Sequence, residues 1–548
     1  RWFKSTNLNQ FIQHIRLQTK EKNMTALRGV NRKVTAQTEK ARPDQVENNA
    51  GGFTFTVTDK DRLERFLILG TDGGTYYVTE RDITNDSVEF LSKMIATDEE
   101  LVRQTVLSVS DEGRAYRNSP ALFALAMLFT DGKDKAATRA IFNKVVRTST
   151  HLFEFAQYIE NLGGWGRAKR NAVTSWYEDQ DVDKLAYQMV KYRQRDGWTH
   201  RDMLRLSHPT RLDNSAAEFA LHGNVTENAP AIMQGYAQMA KASSVEEVVA
   251  ILSQFKNLPW ETIPTKFLNN DEVWKTLFYN GQLRGQNAIR NVGRLNKIGA
   301  FNDMVFANDF SNVITNGENI KKSRLHPVNF LNAILANQET DYYSWRYNAG
   351  KSNLPARIQD ALNDGFYESF KHVEPANKRT LLALDVSASM WGGQTAGFSG
   401  VPAQAAAAMA MTIARTEPYY AVMGFSTSFI DLGISSRMRL DSVFKRLDNL
   451  PFGGTDCSLP MRWAQDNNIE VDTFVVITDN ETWAGRIHPF QALQQYRNRV
   501  NPNARLAVMA MTPTRFSIAD PKDSGSMDFV GMDSNTPRIL TDFSAGRI

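Results

Sequence analysis

Three short polar motifs in the C-terminal part of the chain have residue types and positions that could bind a divalent cation. Two of them follow short, continuously apolar runs, which predict buried parallel strands. Ligands of such sheets gather at the carboxyl ends of the strands. Hard oxygen ligands of this kind suit Mg²⁺, with Mn²⁺ or Ca²⁺ as alternatives. The candidate ligands are Asp385, Ser387, Ser389, Thr455 and Asp479.

The order Asp-x-Ser-x-Ser, then Thr in a glycine turn, then Asp resembles the metal-ion-dependent adhesion site of a von Willebrand factor A domain. Each of the five candidate ligands matches a position of that family pattern. The resemblance implies that the metal would bind an acidic group of a partner and would catalyse nothing. The alternative is that these residues are ordinary caps at the ends of strands.

Composition restricts the class of protein. The chain has 548 residues, 42% of them hydrophobic, which predicts two to four domains with sizeable cores. Its single cysteine, Cys457, excludes an intramolecular disulfide framework and favours a reducing compartment, so we expect a cytoplasmic protein. Since no apolar run approaches the roughly 18 residues of a membrane span, we expect no membrane association.

The chain divides into a helical part and an α/β part. Residues 1–50 are polar and basic and predict an irregular arm, and residues 53–57 and 75–78 predict a hairpin with a short helix between its strands. Amphipathic helices then follow one another up to about residue 375, which favours stacked helix pairs, an α-solenoid. We therefore predict a helical domain over 1–375 and a doubly wound α/β domain over 376–548.

Individual boundaries follow from local signals. Thr97 to Glu100 reads as a capping box that opens a helix at Leu101, and Ser119 and Ser244 read as further caps. The α/β part predicts strands and one helix, followed by a loop over residues 513–537 that is rich in Pro, Asp, Ser and Gly. The predicted strands cover residues 380–386, 420–425, 474–478 and 505–511, and the helix covers residues 402–415.

Basic residues are concentrated in the helical part. Residues 376–548 carry 16 basic and 16 acidic side chains, whereas residues 161–211 carry 10 and 6 and residues 281–330 carry 7 and 3. Aromatic residues such as Trp165 and Trp198 lie between the basic ones, a combination that can hold single-stranded nucleic acid by phosphate contacts and stacking. The bland alternative is a buried aromatic core with solvated charges.

The same segments resemble the Ro autoantigen family. The resemblance is carried by Gly164 to Arg167, Lys191 to His208, Ile289 to Leu295, Lys322 to Pro327 and Asp385 to Met390. It covers residues from about 25 to 548 in the family's order, a TROVE module followed by a von Willebrand factor A domain. The single cysteine and the lack of long additions favour a bacterial member.

The resemblance implies HEAT-like repeats closed into a monomeric ring with a basic central hole. Such proteins bind small non-coding Y RNA on the outer surface and accept single-stranded 3′ ends of misfolded or maturing RNA in the hole. Bacterial members are linked to 3′ exoribonucleases such as polynucleotide phosphorylase. The RNA-contacting candidates are Arg167, Lys169, Arg170, Lys191, Arg193, His200, Arg201, Arg205, His208, Arg290, Arg294, Lys322 and Arg324.

Two other functions compete with non-catalytic RNA binding. An enzyme could use Asp385 and Asp479 as a phosphatase or nuclease metal site. However, the sequence has no P-loop and no Gly-x-Ser-x-Gly elbow, and Ser387 stands where a haloacid-dehalogenase-like enzyme needs a second Asp. A protein-interaction scaffold would use the metal site to capture an acidic group of a partner, with the basic helices only as surface.

Overall fold

The computed structural model describes residues 34–71, 75, 77–338, 352–370, 373–392, 397–447, 450 and 453–548. Its packing divides the chain into two compact units. The sheet unit contains the residues up to Val88, Ile334–Asn353 and Phe366–Ile548, and the helical unit contains Glu89–Ala333 and Leu354–Gly365. The predicted division at residue 375 stays a prediction about sequence modules, because packing places the residues before Val88 with the sheet.

The first part of the chain holds four short strands and a succession of helices. The elements are β1 (Val46–Glu47), β2 (Phe53–Thr56), α1 (Asp59–Leu69), α2 (Glu80–Thr97), α3 (Glu99–Asp111), α4 (Ser119–Asp131), α5 (Lys135–Val145), α6 (Ser149–Asn161), α7 (Arg167–Glu178), α8 (Val182–Lys191), β3 (Gln194–Arg195), β4 (Trp198–Thr199), α9 (His200–Ser207), α10 (Asn214–His222), α11 (Ala231–Met239) and α12 (Val245–Gln254). The predicted succession of short amphipathic helices is confirmed.

Shorter elements follow, including 3₁₀ turns over Trp260–Thr262, Thr265–Phe267 and Ala300–Asn302. The helices are α13 (Asp271–Tyr279), α14 (Gly285–Arg290), α15 (Val292–Lys297), α16 (Met304–Thr315), α17 (Gly317–Lys322), α18 (Pro327–Ala336) and α19 (Ala356–Glu368). Two predicted caps were displaced by one residue. Asp98 rather than Thr97 caps α3, by accepting from Leu101 N–H at 3.0 Å, and Asn118 rather than Ser119 precedes α4. The predicted Ser244 cap of α12 is confirmed.

Alternating strands and helices form the rest of the sheet unit. The elements are β5 (Thr380–Asp385), a 3₁₀ turn (Ala388–Trp391), α20 (Pro402–Thr416), β6 (Tyr420–Phe425), β7 (Phe429–Asp431), α21 (Leu440–Leu447), α22 (Leu459–Asp466), β8 (Thr473–Thr478), α23 (Pro489–Arg499), β9 (Arg505–Ala510), β10 (Phe516–Ser517), β11 (Ser526–Val530) and α24 (Thr536–Ser544). The four predicted strands and the helix at 402–415 are confirmed. The predicted loop over 513–537 was wrong, because it contains β10, β11 and the start of α24.

The large sheet has the strand order β11-β9-β8-β5-β6-β7, parallel except for the edge strand β7. Every residue of β5 and of β8 is buried, as the continuous apolar runs predict for strands covered on both faces. Leu381 and Phe474 belong to one core cluster with Met461 of α22 and Tyr496 of α23. The parallel register pairs Leu384 with Ile477, so β5 and β8 end at the same edge of the sheet.

The N-terminal strands belong to a second, three-stranded sheet of the same unit. β2 pairs with β1 and with β10, more than 450 residues away in sequence. The predicted hairpin between residues 53–57 and 75–78 was therefore wrong, and part of its second strand lies outside the described residues. Arg65 of α1 fixes this sheet to the rest of the unit, because its buried guanidinium donates to Phe516 O at 2.8 Å and to Asp528 Oδ2 at 2.6 Å.

Residues from the beginning and the end of the helical unit contact one another. Arg324 Nη2 lies 3.3 Å from Asp111 Oδ1, His326 Nε2 lies 3.1 Å from Arg114 O, and Asn332 Nδ2 donates to Tyr116 Oη at 3.4 Å. The His326 ring is buried and its Nδ1 accepts from Val328 N–H, so Nε2 carries the proton and donates to Arg114 O. We call this contact the seam.

Among the described residues, none of the helices is long and apolar enough to cross a membrane.

Candidate functional site

The sheet unit brings the predicted metal ligands to one rim. Asp385 ends β5, and Asp479 follows β8, the neighbouring parallel strand. Ser387 N–H donates to Asp385 Oδ1 at 2.9 Å, and the hydroxyls of Ser387 and Ser389 lie 3.1 Å apart. The side chains of all five candidates are buried, Thr455 among them. The strand ends and the turn after β5 thus place two carboxylates and several hydroxyls at one edge.

The loop that carries Thr455 is held against the loop after β8. Thr455 O accepts from Trp483 N–H and Ala484 N–H at 3.0 Å, and from the Thr482 hydroxyl at 3.1 Å. The next turn is fixed to β8 as well, since Cys457 Sγ lies 3.8 Å from Thr478 Oγ1. Burial raises the pKa of the Cys457 thiol well above its usual value, so the thiol is protonated and inert. Cys457 is thus a free, buried thiol.

Electrostatics at the rim favour a bound cation. Burial, and next the charge of Asp479, raise the pKa of Asp385 to about 7, against hydrogen bonds from Ser387 and Thr478. Burial also raises the pKa of Asp479, against a hydrogen bond from Ser389. Two buried carboxyl groups of like charge are unfavourable in their ionised form unless an opposite charge lies between them. A divalent cation would supply that charge.

The donor set fits Mg²⁺ rather than a softer metal. In the part of the chain that the structure describes, no group of three or more His, Cys, Asp and Glu side chains is placed to hold a metal. The rim instead offers two carboxylates and hydroxyl oxygens. These are hard ligands, and they leave coordination positions for water or for a partner's oxygen. Softer ions, which prefer nitrogen and sulfur, find no such ligands here.

Sequence reasoning missed the hydroxyl of Thr478 and the carboxyl of Glu481. Thr478 Oγ1 donates to Asp385 Oδ2 at 2.6 Å and so orients that carboxylate. Glu481 is buried, and its carboxyl accepts from Asn49 Nδ2 at 2.6 Å and from Ala50 N–H at 3.2 Å. Burial, and next Asp479, raise the pKa of Glu481 to about 8. Thr478 could have been found from the strand-end pattern, but nothing local indicated that Glu481 contacts residues near position 50.

An N-terminal segment, residues 34–52, fastens the loop after β8 from outside. The buried Gln37 side chain donates to Asp456 Oδ1 and to Ile487 O, both at 2.8 Å, and accepts from the Thr482 hydroxyl at 2.5 Å. Asn48 Nδ2 donates to Thr482 O at 2.9 Å. The predicted irregular arm over 1–50 is thus ordered from residue 34 onwards and packs beside the rim, while residues 1–33 lie outside the described residues.

Nine of the thirteen predicted RNA-contacting residues lie on, between or directly after α7, α8 and α9 of the helical unit. Helices α7 and α9 touch where the Thr174 hydroxyl donates to Ser207 O at 2.8 Å. Arg201 and Arg205 lie one turn apart on the exposed side of α9. The exposed candidates in this region are Arg167, Arg170, Arg193, Arg201, Arg205 and His208. We call Arg167, Arg170, Arg201 and Arg205 the arginine cluster. Its members form no ion pair with any residue that the structure describes.

Two of the predicted RNA-contacting residues are buried in the free protein, and their contact with RNA stays a prediction. His200 is buried, its Nδ1 lies 2.8 Å from Tyr177 Oη and its Nε2 lies 3.2 Å from Tyr192 O. Burial lowers its pKa to about 4, so the ring is neutral and structural. Lys169 is also buried, and its Nζ donates to Gly164 O at 2.9 Å, which closes the turn before α7. Both side chains therefore point into the fold and are held there by hydrogen bonds.

The side chains of the remaining candidates differ in their exposure and in the residues that they contact. Lys191 is half-buried and donates to Tyr187 Oη at 3.2 Å. Arg193 lies over the Tyr236 ring, 5.3 Å from its centroid, and Arg294 lies 5.5 Å from the centroid of Trp260. Arg290 and Lys322 are exposed, as is Arg324, which is paired with Asp111 at the seam. These residues contribute positive charge, but their positions on the hole or the outer surface remain a prediction.

The interleaved aromatic residues are mostly core. Trp176 and Tyr177 are buried, and the Trp176 indole donates to Val146 O at 2.7 Å. Trp165 and Trp198 are half-buried and pack edge to face, with ring centroids 6.0 Å apart. Trp165 and Trp198, like the half-buried Tyr192, leave part of a ring accessible to a ligand, whereas the packing of Trp176 and Tyr177 leaves no ring face for a base.

Known protein families and known proteins are similar to this chain over most of its length. The family described as the Ro60 vWA domain matches residues 379–544, and the TROVE domain matches residues 46–258 and 255–349. The chain is 38% identical over 536 residues to the RNA-binding protein RO60 of Deinococcus radiodurans, covering 95% of this chain and 99% of that protein. It is 31% identical to the RNA-binding protein RO60 of Caenorhabditis elegans, covering 99% of this chain and 97% of that protein.

The fold agrees with these sequence matches. The crystal structure of the Deinococcus radiodurans Ro protein superposes with a TM-score of 0.65 at 37% identity, covering 90% of this chain and all of that one. Both relatives are named as RNA-binding proteins and neither as an enzyme, in agreement with the prediction of a non-catalytic protein. A TROVE module and a von Willebrand factor A domain, matched along nearly the whole chain, place this protein in the Ro family.

Proposed function

We propose that this protein binds RNA without catalysis, through the arginine cluster on α7 and α9. The observation that carries the proposal is the exposure of these four guanidinium groups on two contacting helices, without carboxylate partners among the described residues. Such groups bind phosphates, often through two parallel hydrogen bonds. The names of the two relatives, both RNA-binding proteins, support the same function.

We further propose that the helical unit binds a small Y RNA on its outer surface and single-stranded 3′ ends of misfolded or maturing RNAs in a basic hole. A hole requires the helical repeats to close on themselves. The seam contacts between residues 111–116 and 324–332 support closure, because they join helices from opposite ends of the unit. Handing such RNAs to a 3′ exoribonuclease would make the protein a component of RNA quality control.

For the sheet unit, we propose a Mg²⁺ site held by Asp385, Ser387, Ser389, Thr455 and Asp479. The bound metal would attract an acidic group from a protein partner. The buried pair of carboxyl groups supports this second function, because an ionised pair needs a compensating cation. A protein-interaction scaffold and an RNA-binding protein are compatible, since each function uses a different unit of the chain.

The test is an RNA-binding titration of the full chain at several salt concentrations. We compare a duplex that bears a single-stranded 3′ tail with the same duplex left blunt, with and without EDTA. RNA affinity should fall steeply with salt, should be higher for the tailed duplex and should not change with EDTA. Absence of a tail preference would contradict the binding of RNA ends, and metal-dependent cleavage would indicate an enzyme.

A variant pair isolates the arginine cluster. Arg170→Glu with Arg205→Glu should lower the RNA affinity by about tenfold or more and reduce the salt dependence by roughly 0.7–0.9 in slope for each lost phosphate contact. Arg499→Glu with Arg538→Glu in the sheet unit is the matched control, because both are exposed arginines on helices and the net charge changes by the same amount. An equal loss for the control would mean that only net charge matters and would remove the cluster from the proposal.

A further inference from the structure

A polar cavity of about 140 Å³ lies at the seam of the helical unit. Its walls come from both ends of that unit, with Ser110, Arg147 and His151 on one side and Gln286, Ser323 and Arg324 on the other. A single water molecule needs about 10–15 Å³ of such a volume, so the cavity has room for a small ion with its nearest waters. None of the four residues of the arginine cluster lines this cavity, whereas Arg324, a further RNA-contacting candidate, does.

The cavity is positively charged. Two guanidinium groups, of Arg147 and Arg324, line it, and no Asp or Glu belongs to its lining. Arg147 is held in place by Nη1, which donates to Ser110 O at 2.9 Å and to Ser110 Oγ at 2.8 Å. Its Nε and Nη2 have no hydrogen-bond partner in the part of the chain that the structure describes. Burial, and next the charge of Arg324, lower the pKa of Arg147 to about 10, which leaves it charged at neutral pH.

Neutral donors complete the lining. His151 Nδ1 accepts from the Arg147 backbone N–H at 3.3 Å, so the neutral ring carries its proton on Nε2. Burial, and next Arg147, lower the pKa of His151 to about 3, which keeps the ring neutral. The Gln286 amide and the Ser323 hydroxyl also line the cavity, and no described residue uses either as a hydrogen-bond partner. The carboxylate of Asp111, which lies outside the lining, pairs with Arg324 at 3.3 Å.

We propose that the seam cavity binds a phosphate group, either inorganic phosphate or the phosphate of a nucleotide. Guanidinium groups recognise phosphate oxygens in pairs, and the hydroxyl, amide and imidazole N–H can each donate to another oxygen. Since Arg147 and Arg324 come from opposite ends of the helical unit, the bound anion bridges them. Phosphate binding therefore stabilises the contact between residues 111–116 and residues 324–332. The bound anion thus holds the two sides of the seam together.

The proposal is tested by calorimetric titration of the full chain with sodium phosphate, against sodium chloride of the same ionic strength. We expect saturable phosphate binding and, on hydrogen–deuterium exchange, slower exchange of residues 109–118 and 323–329. Titration with 5′-AMP and with adenosine separates the two sources of phosphate. Binding of 5′-AMP but not adenosine assigns a nucleotide phosphate, and binding of inorganic phosphate alone assigns the free ion. No saturable binding of either would overturn the proposal.

Variants locate the bound anion. Arg324→Gln removes one guanidinium group from a half-exposed position and should weaken phosphate binding about tenfold or more, the scale of a charge-assisted hydrogen bond. Gln286→Leu changes a neutral donor and should weaken it less. Arg139→Gln is the matched control, because Arg139 is exposed on α5 and is not part of the lining. Phosphate affinity that is equal in Arg324→Gln and Arg139→Gln would place the anion elsewhere and overturn the proposal.

Discussion

The rim of the sheet unit, where the proposed metal ligands lie, and the arginine cluster of the helical unit are opposite kinds of site. The rim is buried and acidic, with the carboxyl groups of Asp385 and Asp479 at the ends of neighbouring parallel strands. The arginine cluster is open and basic, and its guanidinium groups form no ion pair among the described residues. A buried site depends on exact local geometry, whereas an exposed basic surface depends on summed charge. The two should therefore respond differently to mutation, salt and chelation.

The largest expected effect is on metal binding at the rim. Asp385→Ala removes one of the two carboxylates, and we expect it to abolish Mg²⁺ binding in a calorimetric titration. The RNA affinity of the same variant should equal that of the parent chain, because the arginine cluster belongs to the other unit. Asp466→Ala, which removes an exposed carboxylate at the end of α22, is the control. A large RNA-binding defect in folded Asp385→Ala would contradict the separation of the two functions.

The next effect is on the stability of the rim. A Cβ atom at Gly52 would lie 1.9 Å from Thr482 O, a backbone atom that cannot move away without displacing the loop after β8. Gly52→Ala should therefore lower the free energy of unfolding of the sheet unit by about 3 kcal/mol. Urea unfolding followed by circular dichroism measures this loss. At Gly166, where a Cβ would meet no atom within 4 Å, the same substitution should cost much less.

The two sites also differ in how much of their structure could be predicted from the sequence. Asp385 and Asp479 follow apolar runs, and parallel strands of one sheet end at one edge, so local pattern and topology sufficed to bring them together. The N-terminal segment could not be assigned, because Gln37 reaches Thr482 across 445 positions and no local pattern encodes that pairing. The order β11-β9 was also missed, since the Asp-rich and Gly-rich sequence around β11 has the composition of a loop.

For the basic helices, composition identified the right segment but not the right side chains. Lys169 and Arg170 are adjacent, yet one points into the fold and the other into solvent. Neighbouring residues on a helix lie about 100° apart, so the exposed face must be known before a basic residue can be assigned to a surface. His200 resembles an RNA-contacting histidine in its neighbours, but the hydroxyl of Tyr177, 23 positions away, occupies its Nδ1.

The buried His200 of the helical unit makes the stability of the folded protein depend on pH. Its pKa of about 4 in the folded protein is below the usual 6.5, so the folded state binds fewer protons than the unfolded state between these values. Above about pH 6.5 the His200 ring is neutral in both states and does not lower the free energy of unfolding. As the pH falls towards 4, proton binding by the unfolded state lowers the free energy of unfolding by up to about 3 kcal/mol. His200→Gln should remove this acid sensitivity without changing the RNA affinity at neutral pH. Urea unfolding of both chains from pH 7 to pH 4 measures the difference.

The smallest effects separate two adjacent residues of α7. Arg170→Gln should lower the RNA affinity by about threefold to tenfold and reduce its salt dependence, because one exposed phosphate contact is lost. Lys169→Gln should leave the RNA affinity unchanged and lower the free energy of unfolding by about 1 kcal/mol, since it removes the hydrogen bond from Nζ to Gly164 O. Fluorescence anisotropy with a 3′-tailed RNA and urea unfolding give both quantities for each variant. An RNA-binding loss in Lys169→Gln as large as that in Arg170→Gln would mean that the start of α7 opens when RNA binds, so that burial in the free protein does not decide which residues contact RNA.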